Sequence, residues 1–236
     1  MEYIILFIMG TIIGSFANML VHRLPENKSI ISPPSSCPQC GKRLGVVELI
    51  PVLGWLILRG KCSGCSLPIP ARYLLIELIS GTLFVVFYLN LGFDFFFPLA
   101  VAILLLIITG TDLEKGIVPP ALSATLLVVA IIFRILEGDP IDALLGVAVG
   151  AVPMVLMALL GAAGGGDFKV MVGLGVFLGF PYALMVLVFS FIIGALAGVF
   201  LLGKKKTVPF VPFIFLGTVL VLLAGDCLLD KYLALL

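Results

Sequence analysis

The chain is 236 residues long, 62% apolar and only 11% charged, with 14 basic and 13 acidic residues for a formal net charge of +1. Soluble domains run about 45–50% apolar and about 25% charged, so this composition excludes a soluble enzyme and a disordered chain alike. No basic stripe on a soluble domain exists to meet phosphates, which excludes nucleic acid as a partner, and the single histidine, His22, excludes a site built on several imidazoles.

A spanning helix takes about 20 residues, so this length allows roughly eight spans and one soluble loop. The start, Met1-Glu2-Tyr3, lacks the basic segment of a cleaved signal, so the first apolar stretch reads as a retained anchor over 3–21. The only long polar stretch, 22–72, follows and contains Pro33, Pro34 and four of the five cysteines. Further spans are expected over 73–88, 96–110, 119–136, 143–163, 168–179, 182–202 and 208–228. The count falls to seven if the Gly179-Phe180-Pro181 break lies inside one bent helix. The expected fold class is an all-α integral membrane protein of about eight transmembrane helices, with a small zinc-ribbon-like loop after the first. It divides into an anchor (1–21), a loop module (22–72) and a polytopic membrane domain (73–236).

Orientation follows the positive-inside rule. With eight spans, Arg23, Lys28, Lys42, Arg43, Arg59, Lys61, Arg72, Lys115, Lys169 and Lys204-Lys205-Lys206 share one side, and only Arg134 and Lys231 lie opposite. That side is expected to be cytoplasmic.

Cys37-Pro38-Gln39-Cys40 and Cys62-Ser63-Gly64-Cys65 are two C-x-x-C pairs with 21 residues between them. Each pair offers two thiolates from one tight turn, and two such turns close a tetrahedral zinc site. Gly41 and Gly64 are expected to supply the permissive backbone. A reducing cytoplasmic setting disfavours structural disulfides, the alternative reading being a redox pair. Zn2+ held by Cys37, Cys40, Cys62 and Cys65 has no open coordination position, so its role is structural; a loop of about 50 residues is too small for its own core and needs such a staple. Cys227, alone in the last span, reads as a packing residue.

Ionisable groups near spans are costly and mark function by default. Asp112 lies between the third and fourth spans and Asp167 closes Gly164-Gly165-Gly166-Asp167 before the sixth. Although 55 residues apart in sequence, they can meet in a helix bundle and share one proton, one acting as base on water and the other as acid on the leaving group. Asp167 sits where a helix should begin, which favours its charged form. The bland alternative is that both merely cap helices, and Glu114 competes with Asp112. Pro119 reads as a helix-start residue.

These residues resemble a known family, the type IV prepilin peptidases, membrane aspartyl proteases of the GxGD class. Gly14-Ser15-Phe16-Ala17-Asn18 through Pro25 is similar to the family's opening signature. The double C-x-x-C loop with Ile50-Pro51-Val52-Leu53-Gly54-Trp55, then Arg72-Tyr73-Leu74-Leu75-Ile76-Glu77, Asp112, Gly164–Asp167 with Lys169, and Val208-Pro209-Phe210-Val211-Pro212-Phe213 follow in order. The resemblance implies an inner-membrane endopeptidase that removes short basic leaders from prepilins or pseudopilins at the cytoplasmic face, after Gly and usually before Phe, with Asp112 and Asp167 as the catalytic pair. It also implies N-methylation of the new N-terminus with S-adenosylmethionine, although no G-x-G-x-x-G fingerprint is present. Gly164, Gly165, Gly166 and Lys169 are candidate substrate contacts, and Glu77 a candidate contact for a substrate amine, its alternative being a pair with Arg72. Membrane lipid and pilus or secretion assembly proteins are the other expected partners. Pro120 departs from the family's usual Asp or Asn there. The rival readings are an ion transporter using both aspartates as a relay, a membrane scaffold with a zinc-bound partner-binding loop, and a presenilin-like protease, which would carry Tyr rather than Thr111 before its first aspartate.

Overall fold

The computed structural model describes residues 1–32, 34–137, 139–160, 164–201 and 208–234. The basic run Lys204–Lys206, Pro33 and the expected span ends at 161–163 and 202 lie outside them. Apart from two isolated β-bridges, the regular structure of the described residues is helical. The chain forms two compact units, Met1–Phe95 and Phe96–Leu236.

In the first unit, α1 (Glu2–Arg23) and α4 (Arg72–Leu91) pack as an antiparallel pair. The sequence permits this because α1 carries glycines one turn apart. A Cβ on Gly10 would lie 2.7 Å from Gly81 Cα, and one on Gly14 would lie 2.7 Å from Glu77 Cα. Small residues at successive turns let the backbones touch, so van der Waals contact binds helices for which lipid offers no hydrophobic drive. The Ser80 hydroxyl adds a bond to the Gly10 carbonyl at 2.7 Å. The opposite face of α1 leaves Ile4, Ile8, Ile12 and Phe16 about half exposed or more, a surface suited to lipid. Two short helices, α2 (Val46–Leu49) and α3 (Leu53–Ile57), lie in the loop between and were not expected from the sequence.

The second unit holds α5 (Phe96–Lys115), α6 (Pro120–Glu137), α7 (Pro140–Leu159), α8 (Gly165–Leu178), α9 (Tyr182–Leu201) and α10 (Val211–Leu233). α8 packs on α6 and α7, α9 on α7 and α10, and α5 on α6 and α10. The α7–α8 contact is again made by glycine: a Cβ on Gly175 would lie 2.7 Å from Val147 Cα. Pro120, rather than Pro119, is the first residue of α6, the position where a missing N–H costs nothing; that accounts for the departure at this residue. Arg134 is not a stray cation. Its guanidinium donates to the Val176 and Phe177 carbonyls at 3.0 and 2.8 Å and pairs with Asp142 at 3.2 Å. It thus caps the carbonyl end of α8, while Asp142 accepts the Phe180 N–H at 2.9 Å.

Six segments among the described residues are long and apolar enough to cross a membrane: Glu2–Glu26, Arg72–Lys115, Pro120–Glu137, Pro140–Leu159, Tyr182–Val199 and Val211–Leu233. The second contains both α4 and α5, parted at Gly92 with φ of +59°. α8, with 14 residues, rises about 21 Å, less than the roughly 30 Å of a hydrocarbon core. The chain is a multi-pass membrane protein. Cys227, expected to pack, is exposed.

Candidate functional site

Asp112 was expected in a connecting segment; instead α5 continues to Lys115 and places it in the last helical turn. Gly116, at φ +65°, ends that helix, its N–H returning to the Asp112 carbonyl at 2.8 Å. Asp167 stands in the first turn of α8, as expected, and its side chain reaches back to the Gly164 N–H at 3.0 Å. Both aspartates are only 8% exposed, and Asp167 lies within electrostatic reach of Asp112. Asp112 accepts the Val211 N–H, one of the free donors at the start of α10. Its Oδ2 is buried and has no partner among the described residues. A paired, buried carboxyl with an oxygen left open is what a proton shared between two acids, or a water held between them, requires.

Two contacts bring these distant segments together. A Cβ on Gly166 would lie 2.6 Å from Val118 Cγ2, whereas one on Gly165 would meet nothing within 4 Å. Gly166 therefore lets the α5–α6 connection close against the start of α8, and Val211 brings α10 to the same place. Neither Val118 nor Val211 was singled out as a positioning residue; the proline-flanked motif at 208–213 was the only trace of the second. Lys169 is exposed, as are Gly164 and Gly165.

Glu77 belongs to the first unit. It is 8% exposed and accepts the Val52 N–H at 2.7 Å and the Ser15 hydroxyl. Arg72 instead lies over the Tyr73 ring, 4.8 Å from its centroid.

The four cysteines converge: their sulfurs lie within 4.8 Å of one another, with Cys37–Cys65 at 4.0 Å and Cys40–Cys62 at 3.9 Å. A tetrahedron with metal–sulfur bonds of about 2.3 Å has edges of about 3.8 Å, so the spacing fits a metal ion. The site is built from two equivalent turns. The Cys37 N–H donates to Lys42 O and the Cys62 N–H to Leu67 O, both at 2.9 Å, each turn flanked by a β-bridge. The left-handed positions are Gly41 (φ +71°) and Ser66 (φ +59°). Gly64 does not take that role as expected; a Cβ there would lie 2.8 Å from Lys42 Cδ. Lys42 also contacts Ser63 and Glu48, tying one turn to the other. The Cys65 and Gly64 N–H groups hold the Cys62 thiol down to about 6. Cys65 is pushed up to about 11: the Leu67 N–H lowers it, but burial and the three neighbouring thiols prevail. A cation bound by the four sulfurs would be held by them as thiolates, with release of their protons.

The first unit also contains a cleft of about 480 Å3 lined by Met19, Arg23, Ile30, Arg43, Leu44 and Leu49, among others.

Comparison with known proteins gives the chain's relatives. Residues 8–91 match the family described as the bacterial peptidase A24 N-terminal domain, and residues 99–199 match the type IV leader peptidase family. The chain is 36% identical over 241 residues to the prepilin leader peptidase/N-methyltransferase of Bacillus subtilis (strain 168), covering 97% of this chain and 96% of that protein. It is 32% identical over 271 residues to the protein of the same name from Aeromonas hydrophila, covering 97% and 93%. The namesake from Myxococcus xanthus (strain DK1622) is 36% identical over 210 residues, covering 84% and 63%. No solved structure matches.

Proposed function

The chain belongs to the type IV leader peptidase family, and from that membership we propose that it is a membrane aspartyl endopeptidase. It removes the short basic leader of prepilins or pseudopilins and then N-methylates the amine it has uncovered. The observation that carries the peptidase reading is the pairing of Asp112 with Asp167, both buried and electrostatically coupled, one with an oxygen left unpartnered.

Asp167, in the positive first turn of α8 and holding the Gly164 N–H, suits the ionised partner. Asp112, at the negative end of α5, suits the carboxyl that holds the shared proton. Asp167 takes a proton from water as the oxygen adds to the scissile carbonyl; Asp112 donates its proton to the amide nitrogen. The C–N bond breaks, leaving a carboxylic acid on the leader and a free amine on the pilin. The dyad titrates as a pair. The open space at Gly165 lets an extended leader junction approach the backbone, with Gly164, Gly166 and Lys169 around it.

The four-cysteine cluster holds Zn2+, closed and structural, its resident turns fixing the loop against the ends of α1 and α4. S-adenosylmethionine, when bound, supplies a methyl group. The cleft beside Arg43 suits such a molecule, since a guanidinium fork matches a carboxylate and Met19, Ile30, Leu44 and Leu49 give apolar walls to a flat ring. In the membrane, eight helices with the basic loop and both aspartates on the cytoplasmic side satisfy the charge asymmetry, with the inner membrane as the location. The substrate's single apolar helix then lies in the same bilayer, its basic leader held near anionic lipid, and assembly proteins receive the product.

Reconstituted chain mixed with a prepilin, its products weighed with and without S-adenosylmethionine, tests both activities. Loss of the leader, followed by a gain of one methylene mass only with the donor, is the expected result. Intact prepilin alongside ion flux in liposomes would replace this reading with the transporter.

A further inference from the structure

Glu77 has no part in the cleavage chemistry, and its surroundings are unusual. The carboxyl group is buried, its partners being the Val52 N–H and the Ser15 hydroxyl. One turn away along α4, the Tyr73 carbonyl accepts a hydrogen bond from Asn18 Nδ2 at 2.9 Å, while Asn18 Oδ1, in a residue only 2% exposed, has no partner among the described residues. Ser15 and Asn18 are three apart on α1, and Tyr73 and Glu77 four apart on α4, so Ser15–Glu77 and Asn18–Tyr73 are adjacent rungs across one helix pair. A buried carboxyl and an open amide oxygen thus lie on adjacent rungs, and polar groups buried in this way are costly.

The main-chain partner that Glu77 does have is held under strain. Val52 has φ +63° and ψ −56°, and the Leu53 N–H closes on the Pro51 carbonyl at 2.6 Å. This is a three-residue γ-turn of the rare left-handed kind, adopted by a β-branched residue for which such φ is a true outlier. Strain of this sort persists where a site needs it.

We propose that Ser15, Asn18 and Glu77 form a seat for a primary ammonium group, the new N-terminus of the cleaved polypeptide, and that the Val52 turn occupies the seat until that group arrives. The proposal rests on the methyl-transfer reading above. An ammonium brings three donors and one positive charge, matching the Glu77 carboxylate, the open Asn18 Oδ1 and the Ser15 hydroxyl oxygen. Its entry frees the Val52 N–H, and the turn relaxes to negative φ. Met19, next to Asn18, and Leu49, just before the Pro51–Leu53 turn, line the arginine cleft, so the amine seat and the proposed donor cleft share one unit.

The test uses the full chain in detergent and a dye-labelled peptide copying the start of a mature pilin, with its amine free or acetylated. The wild type should bind the free-amine peptide at least about tenfold more tightly, the scale of one charge-assisted contact. Glu77→Gln, which keeps shape and removes charge, should bring the ratio near one. Val52→Gly takes positive φ without cost, so it should hold the seat more firmly and weaken only the free-amine peptide severalfold. A wild type blind to acetylation, or Glu77→Gln that still discriminates, overturns the proposal. Incubation of wild type with cleaved pilin and S-adenosylmethionine, read by mass, keeps the two ideas apart. Selective binding without mass gain defeats methyl transfer and leaves the seat, whereas mass gain with undiminished discrimination in Glu77→Gln defeats the seat alone.

Discussion

Replacing Gly166 by alanine should damage catalysis far more than the same change at Gly165. A methyl at Gly166 would stand 2.6 Å from Val118 Cγ2 and 2.9 Å from its Cβ, whereas ordinary contact begins at 3.4 Å, so the α5–α6 connection and the start of α8 must part by about 0.8 Å. Overpacking of this kind costs about 1–3 kcal/mol in stability. The larger effect is on geometry, because Asp167 follows Gly166 directly and Val118 follows the turn that ends the helix of Asp112. A displacement near 1 Å costs catalysis about 100-fold. At Gly165 the added methyl meets nothing within 4 Å, so the aspartates keep their spacing and kcat should stay within about twofold, any loss falling on KM through the space left for the leader junction. Steady-state cleavage of a prepilin in proteoliposomes measures both. Val118→Ala removes the colliding Cγ atoms but keeps the Cβ at 2.9 Å, so the double variant should regain part of the loss, a coupling that a double-mutant cycle isolates. Equal activity in both alanine variants, or no rescue by Val118→Ala, would refute the argument that this contact sets the spacing of the aspartates.

Arg134→Met should destabilise the second unit by about 2–4 kcal/mol, since it uncaps the Val176 and Phe177 carbonyls and strands the half-buried Asp142; chemical denaturation in detergent reads the loss. Cys37→Ser should lower bound zinc from one per chain to near zero, measured by elemental analysis, and open 24–71 to protease while α1 and α4 stay protected. Gly179→Ala should destabilise by more than about 1 kcal/mol, because φ is +70° there and the methyl would fall on the Asp142 carboxylate; a shift in thermal midpoint measures it.

Hydropathy alone located the helices, because their length and apolar density leave little choice, and the two C-x-x-C pairs located the metal turns. The boundaries were less legible. Nothing in the composition of 111–115 says that α5 runs on through Asp112, since polar residues at a helix end read equally well as a loop. The short α2 and α3 stayed hidden because each is a turn or so of helix held by its surroundings rather than by its own periodicity. The motif marks the two aspartates; the contacts that draw their segments together, Gly166 against Val118 and Asp112 with the Val211 N–H, join three segments separated by tens of residues. Glu77 stood out as an ionisable group near a span, yet its Val52 partner lies 25 residues upstream in an irregular turn that no pattern marks. Of the two glycines expected to give a permissive backbone, Gly41 takes positive φ and Gly64 a close approach to Lys42, while Ser66 takes the second left-handed position; glycine signals either use, and sequence does not separate the two.

Asp112→Asn and Asp167→Asn test the central claim most directly. Each keeps the shape of its carboxyl and removes the proton chemistry, so a purified variant should fold, retain zinc and leave a prepilin intact under conditions in which wild type removes the leader, as read by mass spectrometry. Cleavage at an undiminished rate by either variant would contradict the dyad.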